Sequence, residues 1–232
     1  DGSGEETRER IARLLPGLPM PVRHLWQPDE GFRKCLALNR AIVASASDYL
    51  IFTDGDCIPR RDFVATHLRL REPGRFLSGG YHKLPMATSR RIGADDIASG
   101  RCFDVGWLRA HGMPASRRDL KLLAGPRLGL LLDLASPARA SWNGHGASGW
   151  KRDILAVNGF DERMRYGGQD REFGERLENA GIRGKRIRHR TVALHLDHPR
   201  GYATAESIAF NRALRAETRR SRRTWTEFGI QA

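Results

Sequence analysis

The stretch Asp48-Tyr49-Leu50-Ile51-Phe52-Thr53-Asp54-Gly55-Asp56 decides the architecture. A compact β-prone run enters two carboxylates one glycine apart, the pattern of a buried strand that ends in a polar, ligand-facing turn. Upstream, residues 32–46 carry apolar side chains at 32, 35, 36, 38, 42 and 43, the spacing of a helix lying on a sheet. Residues 21–26 read as a short strand, and Ser3 with Glu6 reads as a capping box opening a helix that ends near Pro16-Gly17. This alternation of helix, strand, helix and strand predicts an α/β protein whose open sheet meets its ligand at the carboxyl end of the 49–53 strand.

Downstream, the pattern predicts a helix at 62–71 and a strand at 76–83. An arginine-rich, mostly helical segment at 85–137 follows, read as an insertion or lid over the sheet. Ordered α/β signals return at 140–150, followed by a short helix around 153–157. A helix from about 170 to 180 is closed by Gly181, and strands at 185–189 and 191–196 come next. The expected organisation is one α/β domain over 1–200, with 85–137 inserted, and a basic helical tail over 201–232.

Composition narrows the function. Among 232 residues, 40 Lys and Arg oppose 27 Asp and Glu, a net charge of +13 that favours anionic partners without choosing among them. Cys35, Cys57 and Cys102 form no C-x-x-C pair, which excludes a disulfide framework or thiolate zinc site and fits a reducing, cytoplasmic compartment. The most apolar segment, 120–135, is broken by Gly125-Pro126-Arg127 and carries Lys121 and Asp133, so it does not read as a membrane span. Arginines 212, 215, 219, 220, 222 and 223 make the tail either a solvated helix face or a surface attracted to anionic lipid or an acidic glycan.

Four groups of residues can carry chemistry. Asp54 and Asp56, with Gly55 allowing a close turn, suit a hard cation such as Mn²⁺ or Mg²⁺ bridging a diphosphate, although the same pattern also makes solvated turns at strand ends. Gly167-Gly168-Gln169-Asp170 opens an acidic helical turn, where Asp170 serves either as an N-terminal cap or as a proton acceptor. His195 and His198 flank Leu196-Asp197 at a strand end and either supply imidazole to the metal or are structural. Asn143-Gly144-His145-Gly146-Ala147-Ser148 is small enough for the backbone to approach a ligand, and is equally a glycine-rich turn.

Taken in order, Asp1-Gly2-Ser3, Asp54-Gly55-Asp56, the 143–148 stretch leading into Asn158-Gly159-Phe160-Asp161-Glu162, and Gly167-Gly168-Gln169-Asp170 resemble family 2 glycosyltransferases. The later part resembles the galactosyltransferase-type C-terminal region of chondroitin polymerase-like enzymes. The resemblance spans residues 1 to about 198. It implies a GT-A (Rossmann-like) fold, a mixed sheet flanked by helices, and transfer of a sugar from a nucleotide sugar, UDP-linked, to the hydroxyl of a glycan or glycolipid acceptor in polysaccharide or glycoconjugate synthesis. It also implies a divalent metal, Mn²⁺ or Mg²⁺. Asp1 would face the uridine, with Gln27, Asp29, Phe32 and Arg33 near the nucleotide and Asn39 on the following helix. Asp54, Gly55 and Asp56 would meet ribose, diphosphate and metal, and His195 or His198 would complete the metal site. Asp170 would be the general base of an inverting reaction, with Asn143, Gly168 and Gln169 around the donor sugar.

Gln169 replaces the Glu of a usual Glu-Asp pair, removing one carboxylate. Family members begin with a strand and helix before the Asp-Gly-Ser turn, so those elements are expected upstream. Two rivals remain. A phosphohydrolase reading of Phe52-Thr53-Asp54-Gly55-Asp56 wants a Thr or Ser soon after the second Asp, which Cys57-Ile58-Pro59 does not supply. A non-catalytic basic module for nucleic acid or an acidic polymer rests on charge alone, with no nucleic-acid fold signature, so no nucleic-acid partner is expected. Peripheral contact with an anionic membrane at its inner face is the further expectation from the tail.

Overall fold

The computed structural model describes residues 2–199 and 201–231. Five strands form one mixed sheet: β1 (Tyr49–Phe52), β2 (Cys57–Pro59), β3 (Arg75–Lys83), β4 (Ala147–Trp150) and β5 (Arg183–His195), in the order β1-β4-β3-β5-β2. β3 and β5 pair parallel at the centre, and the other neighbours are antiparallel. The short β2, which the sequence pattern did not reveal, carries Pro59 and lies at the sheet edge, where a residue without an N–H is tolerated.

Helices α1 (Glu5–Leu14), α2 (Lys34–Ala44) and α3 (Phe63–Leu70) precede β3. Between β3 and β4, the 85–137 segment forms a chain of short helices: α4 (Met86–Ser89), α5 (Ala94–Ser99), α6 (Val105–Ala110), α7 (Leu120–Leu123) and α8 (Pro126–Ala135). It closes a second apolar cluster, in which Cys102, Leu108 and Met113 pack with Ile58 and Leu194 of the sheet. Helices α9 (Lys151–Ala156), α10 (Gln169–Asn179) and α11 (Ala205–Ser221) complete the fold. The main core joins Cys35 and Ile42 of α2 to Phe76, Trp142, Phe160 and Phe173, with the Trp142 ring edge-on to Phe52 and Phe173.

Several expectations are corrected. Residues 21–26 are extended but enter no ladder; the segment's hydrogen bonds are isolated ones, Arg23 Nη1 to Ala44 O and Trp26 Nε1 to Ser3 O, and just beyond it Gly2 N donates to Gln27 O. The Ser3–Glu6 capping box does not form, since Gly4 is the N-cap of α1. The two strands expected at 185–196 are one strand. It bulges where its partners jump from Ile187 to Val192 opposite Gly79 and Gly80, and a Cβ on Gly80 would lie 2.1 Å from the Arg188 carbonyl oxygen.

The 201–231 segment packs on the domain. Thr218 Oγ1 donates to Glu172, Arg215 pairs with Glu175 at 2.6 Å, and Ile230 N and Asn158 Nδ2 bond across to the 158–162 loop and to Thr226. Helix α8 has its polarity reversed. Gly129 lies against the His189 carbonyl and Asp133 accepts from His189 and Arg190, whereas Leu128, Leu131 and Leu134 face outward. No helix among the described residues is long and apolar enough to cross a membrane.

Candidate active site

The loop leaving β1 splits its two carboxylates. Cys57 N bonds back to Asp54 O, closing a turn at Gly55 that sends the side chains to different partners. Asp54 binds the Lys34 ammonium at 2.5 Å and lies 3.9 Å from His145 Nδ1. Lys34 opens α2, where the helix dipole disfavours a cation, and its carboxylate neighbours compensate for that position. Burial alone would lower the Lys34 pKa, but the combined pull of Asp170 and Asp54 raises it.

Asp56 turns instead to the end of β5. Its Oδ2 lies 2.9 Å from His198 Nε2 and 3.5 Å from His195 Nε2, and Cys57 Sγ lies 3.5 Å from Oδ1. The tautomers follow from the other ring nitrogens. His195 Nδ1 is 2.9 Å from Leu196 O and His198 Nδ1 is 2.8 Å from Pro199 O, and carbonyl oxygens only accept. Both Nδ1 atoms therefore carry the proton, and in the neutral rings two Nε2 lone pairs converge on a carboxylate oxygen. Such an arrangement calls for a proton or a cation between them. The mixed imidazole and carboxylate donor set fits Mn²⁺ and related divalent ions. Ligand atoms of Asp56, Cys57 and His195 lie within 4.8 Å of one another and His198 Nε2 reaches the same Asp56 oxygen, while Asp54 holds Lys34.

Asp170 occupies the first turn of α10, after Gly167 and Gly168 at φ 110° and 101°, a backbone that only glycine adopts without strain. Burial raises its pKa above the ordinary carboxyl range, with Asp54 adding to the shift and Lys34 and the Gly144 N–H opposing it. Its Oδ1 is buried without a hydrogen-bond partner. His145, in the turn opposite, is lowered to about 4, chiefly by burial. Asp170 and His145 stand on the boundary of two cavities. One, of about 860 Å³, contains Phe32, Asp54, Gly55, Asp56, Gln169, His195, His198 and Tyr202. The other, of about 390 Å³, contains Asn143, Lys121 and Arg188.

The remaining expected positions separate into two groups. Phe32 stacks among Tyr166 and Tyr202 at 5.7 and 5.3 Å and lines the larger cavity, as do Gly168 and Gln169, whose Oε1 accepts from Gly167 N. Asn143 lines the smaller cavity, with its Oδ1 buried and unpartnered. Asn39 does not face a ligand: its amide donates to Phe160 O and Glu162, and its oxygen accepts from Phe160 N, so it ties α2 to the 158–162 loop. Gln27 is buried, with its amide on Arg33 O, and Asp29 caps its own turn at Gly31. Arg33 pairs with Glu30. Asp1 lies outside the described residues. Lys34 and His145 are site residues that motif reading passed over. The signal for His145 was present in the glycine-flanked Asn143–Gly146 run, and that for Lys34 was a cation at a helix start.

The central parallel pair with antiparallel flanks and covering helices belongs to an architecture that solved structures share. A mannosyltransferase from Pyrobaculum calidifontis, in complex with GDP-Man and Mn²⁺, matches 86% of this chain at 18% identity with a TM-score of 0.53. Glucosyl-3-phosphoglycerate synthase from Mycobacterium tuberculosis, in complex with phosphoglyceric acid, matches 97% of the chain at 19% identity with a TM-score of 0.49. At such identities the likeness to the mannosyltransferase defines the fold, which is GT-A: a mixed α/β sheet flanked by helices. The chain spans 47% of the mannosyltransferase's length. No family model and no curated protein matches the sequence.

Proposed function

We propose that the chain is a metal-dependent, inverting glycosyltransferase that uses a nucleotide-sugar donor. The observation that carries this reading is the convergence of Asp56, His195 and His198 in a cavity that Asp170, with its Oδ1 buried and unpartnered, also lines. The mannosyltransferase of similar fold carries GDP-Man and Mn²⁺, which supports a nucleotide sugar and a divalent ion here. The UDP specificity and the chondroitin polymerase-like role implied by the sequence resemblance belong to the same proposal.

In this reading Asp56, His195 and His198 hold the ion, which when bound offsets charge growing on a departing diphosphate. Phe32 and Tyr202 form the aromatic wall against which a base or sugar ring packs, and Lys34 fixes Asp54 so that it does not compete for the ion. Asp170 accepts the proton of the acceptor hydroxyl as that oxygen forms its bond to the anomeric carbon. The anomeric carbon–phosphate oxygen bond breaks with its electron pair on the nucleoside diphosphate. Raised proton affinity suits Asp170 to this role.

The test is calorimetric titration of UDP and of GDP with and without Mn²⁺, on the wild type and on Asp56→Ala. Binding by the wild type that requires Mn²⁺ and is lost in the variant supports the proposal. Neither nucleotide binding the wild type would refute it. Product NMR reads the anomeric configuration, and retention would overturn the single-displacement mechanism.

A further inference from the structure

The smaller cavity is built with a charge imbalance that the proton-transfer reading does not use. Lys83 of β3, Lys121 of α7, Arg188 of β5, Arg118 and Arg171 line it, its one acidic side chain is Asp170, and Lys83 is paired with Asp197 at 3.4 Å. Among the described residues none of the other four cations pairs with a carboxylate. Their polar heads are held by neutral groups where they are held at all. Lys121 Nζ donates to Tyr81 O at 3.1 Å and lies 5.3 Å from the Tyr81 ring centre, and Arg188 Nη2 donates to Arg139 O at 2.9 Å.

Elsewhere Arg60, Arg163 and Arg215 each meet an Asp or Glu, while Arg23, Arg61 and Arg186 rest on backbone carbonyls as Arg188 does; what sets these cations apart is that they line one cavity together. Burial lowers the Lys121 pKa, with Arg188 and Arg118 adding to the shift, as expected for cations crowded together without a counter-charge. Cations held close by carbonyls and an aromatic face are preorganised for an anion that arrives from outside.

The position of Asp170 gives that anion its place in the reaction. Asp170 and His145 border both cavities, so a molecule in the smaller one can present a hydroxyl to Asp170 while a donor occupies the larger one. At about 390 Å³ the cavity is near the lower end of small-molecule sites. Asn143 Oδ1, buried and without a partner, adds an acceptor for a second hydroxyl.

We propose that the cationic cavity formed by Arg118, Lys121 and Arg188 binds the anionic group of the acceptor. The acceptor is then a small hydroxylated molecule carrying a phosphate monoester or a carboxylate. The assignment of this molecule as acceptor rests on the reading of Asp170 as the base. The anion takes no part in bond making; it anchors the acceptor while a separate hydroxyl oxygen attacks and gives its proton to Asp170.

The experiment measures binding of three probes by ligand-observed NMR, without metal or nucleotide, at 150 mM salt. This ionic strength shortens the reach of the overall positive charge to about 8 Å. The probes are glucose 6-phosphate, glucuronate and glucose, tested on the wild type, Arg118→Glu, Lys121→Met and the distant control Arg10→Glu. The expected result is at least tenfold tighter binding of one or both charged probes than of glucose. That preference should fall tenfold or more in Arg118→Glu and Lys121→Met and be retained in Arg10→Glu.

Tighter binding of glucose 6-phosphate identifies the phosphate monoester as the source of the anion, and tighter binding of glucuronate identifies the carboxylate. Glucose binding as well as the charged probes would overturn the proposal, as would either cavity variant matching the wild type. Arg118 is exposed, so its replacement tests the site even if Lys121→Met proves unstable in a melting control. Nucleotide titration with Mn²⁺ reads Asp56 and not Arg118, so failure of the transferase reading registers separately.

Discussion

Replacing Asp170 by Asn separates catalysis from stability. The carboxylate sits at the start of α10 with Oδ1 buried and unpaired, and the ionised form is disfavoured by burial and by Asp54. Its folded-state pKa therefore lies above the unfolded value. The stabilisation that comes with protonation is fully present below the unfolded pKa and is lost as pH rises through the folded one. Asn mimics the protonated carboxyl, so the variant should match the wild type near pH 4 and melt at the same or a higher temperature at pH 8. Transfer should fall by about 10²–10⁴-fold, the usual contribution of a positioned base, equivalent to roughly 3–5 kcal/mol of barrier. The assays are turnover with a donor identified by the nucleotide titration and thermal unfolding at both pH values. Turnover within tenfold of the wild type would refute the assignment of the base. A melting temperature lowered at pH 8 but not at pH 4 would refute the electrostatic argument.

Two substitutions test the supports of the site. A Cβ on Gly144 would lie 2.6 Å from Lys34 Nζ and 2.8 Å from Asp54 Oδ1, so Gly144→Ala should force that pair apart and reduce Mn²⁺-dependent nucleotide binding, read by calorimetry, while far-ultraviolet circular dichroism stays unchanged. Glu172 and Arg176 are an almost fully buried pair at 2.9 Å, with Arg176 also donating to Gly159 O at 2.7 Å; Arg176→Met should cost about 3–5 kcal/mol in urea unfolding by leaving Glu172 uncompensated.

The sheet was legible in the sequence where local pattern and packing agree. Tyr49–Phe52 reads as a strand and is one, and the 85–137 segment reads as helical and is a chain of short helices. The pattern misled where structure depends on a distant partner. Residues 21–26 have strand-like chemistry, but a strand exists only when another backbone lies beside it, and nothing in the local pattern reveals that neighbour. The break expected near Arg190 is a bulge set by Gly79-Gly80 more than a hundred residues earlier. Motif spacing likewise places Asp54 and Asp56 together, whereas a turn at Gly55 gives one to Lys34 and the other to histidines 139 and 142 positions away.

The position of Asp170 depends on a polar scaffold as well as on the apolar packing of Phe173 and Leu177. Glu172, two residues on, is held by Arg176 and by Thr218 of α11, and Arg176 in turn fixes the carbonyls of Val157 and Gly159. Asn39 binds the other side of that loop through Phe160. Three elements distant in sequence thus set the first turn of α10 between two cavities, and each contributes hydrogen bonds that hold only in one geometry. A base that must face a donor on one side and an acceptor on the other tolerates little displacement, and a directional network restricts displacement more tightly than interchangeable apolar contacts would. The basic helix α11 belongs to this scaffold: Thr218 and Arg215 brace α10. Its removal should therefore impair transfer through the placement of Asp170 as well as through loss of surface charge.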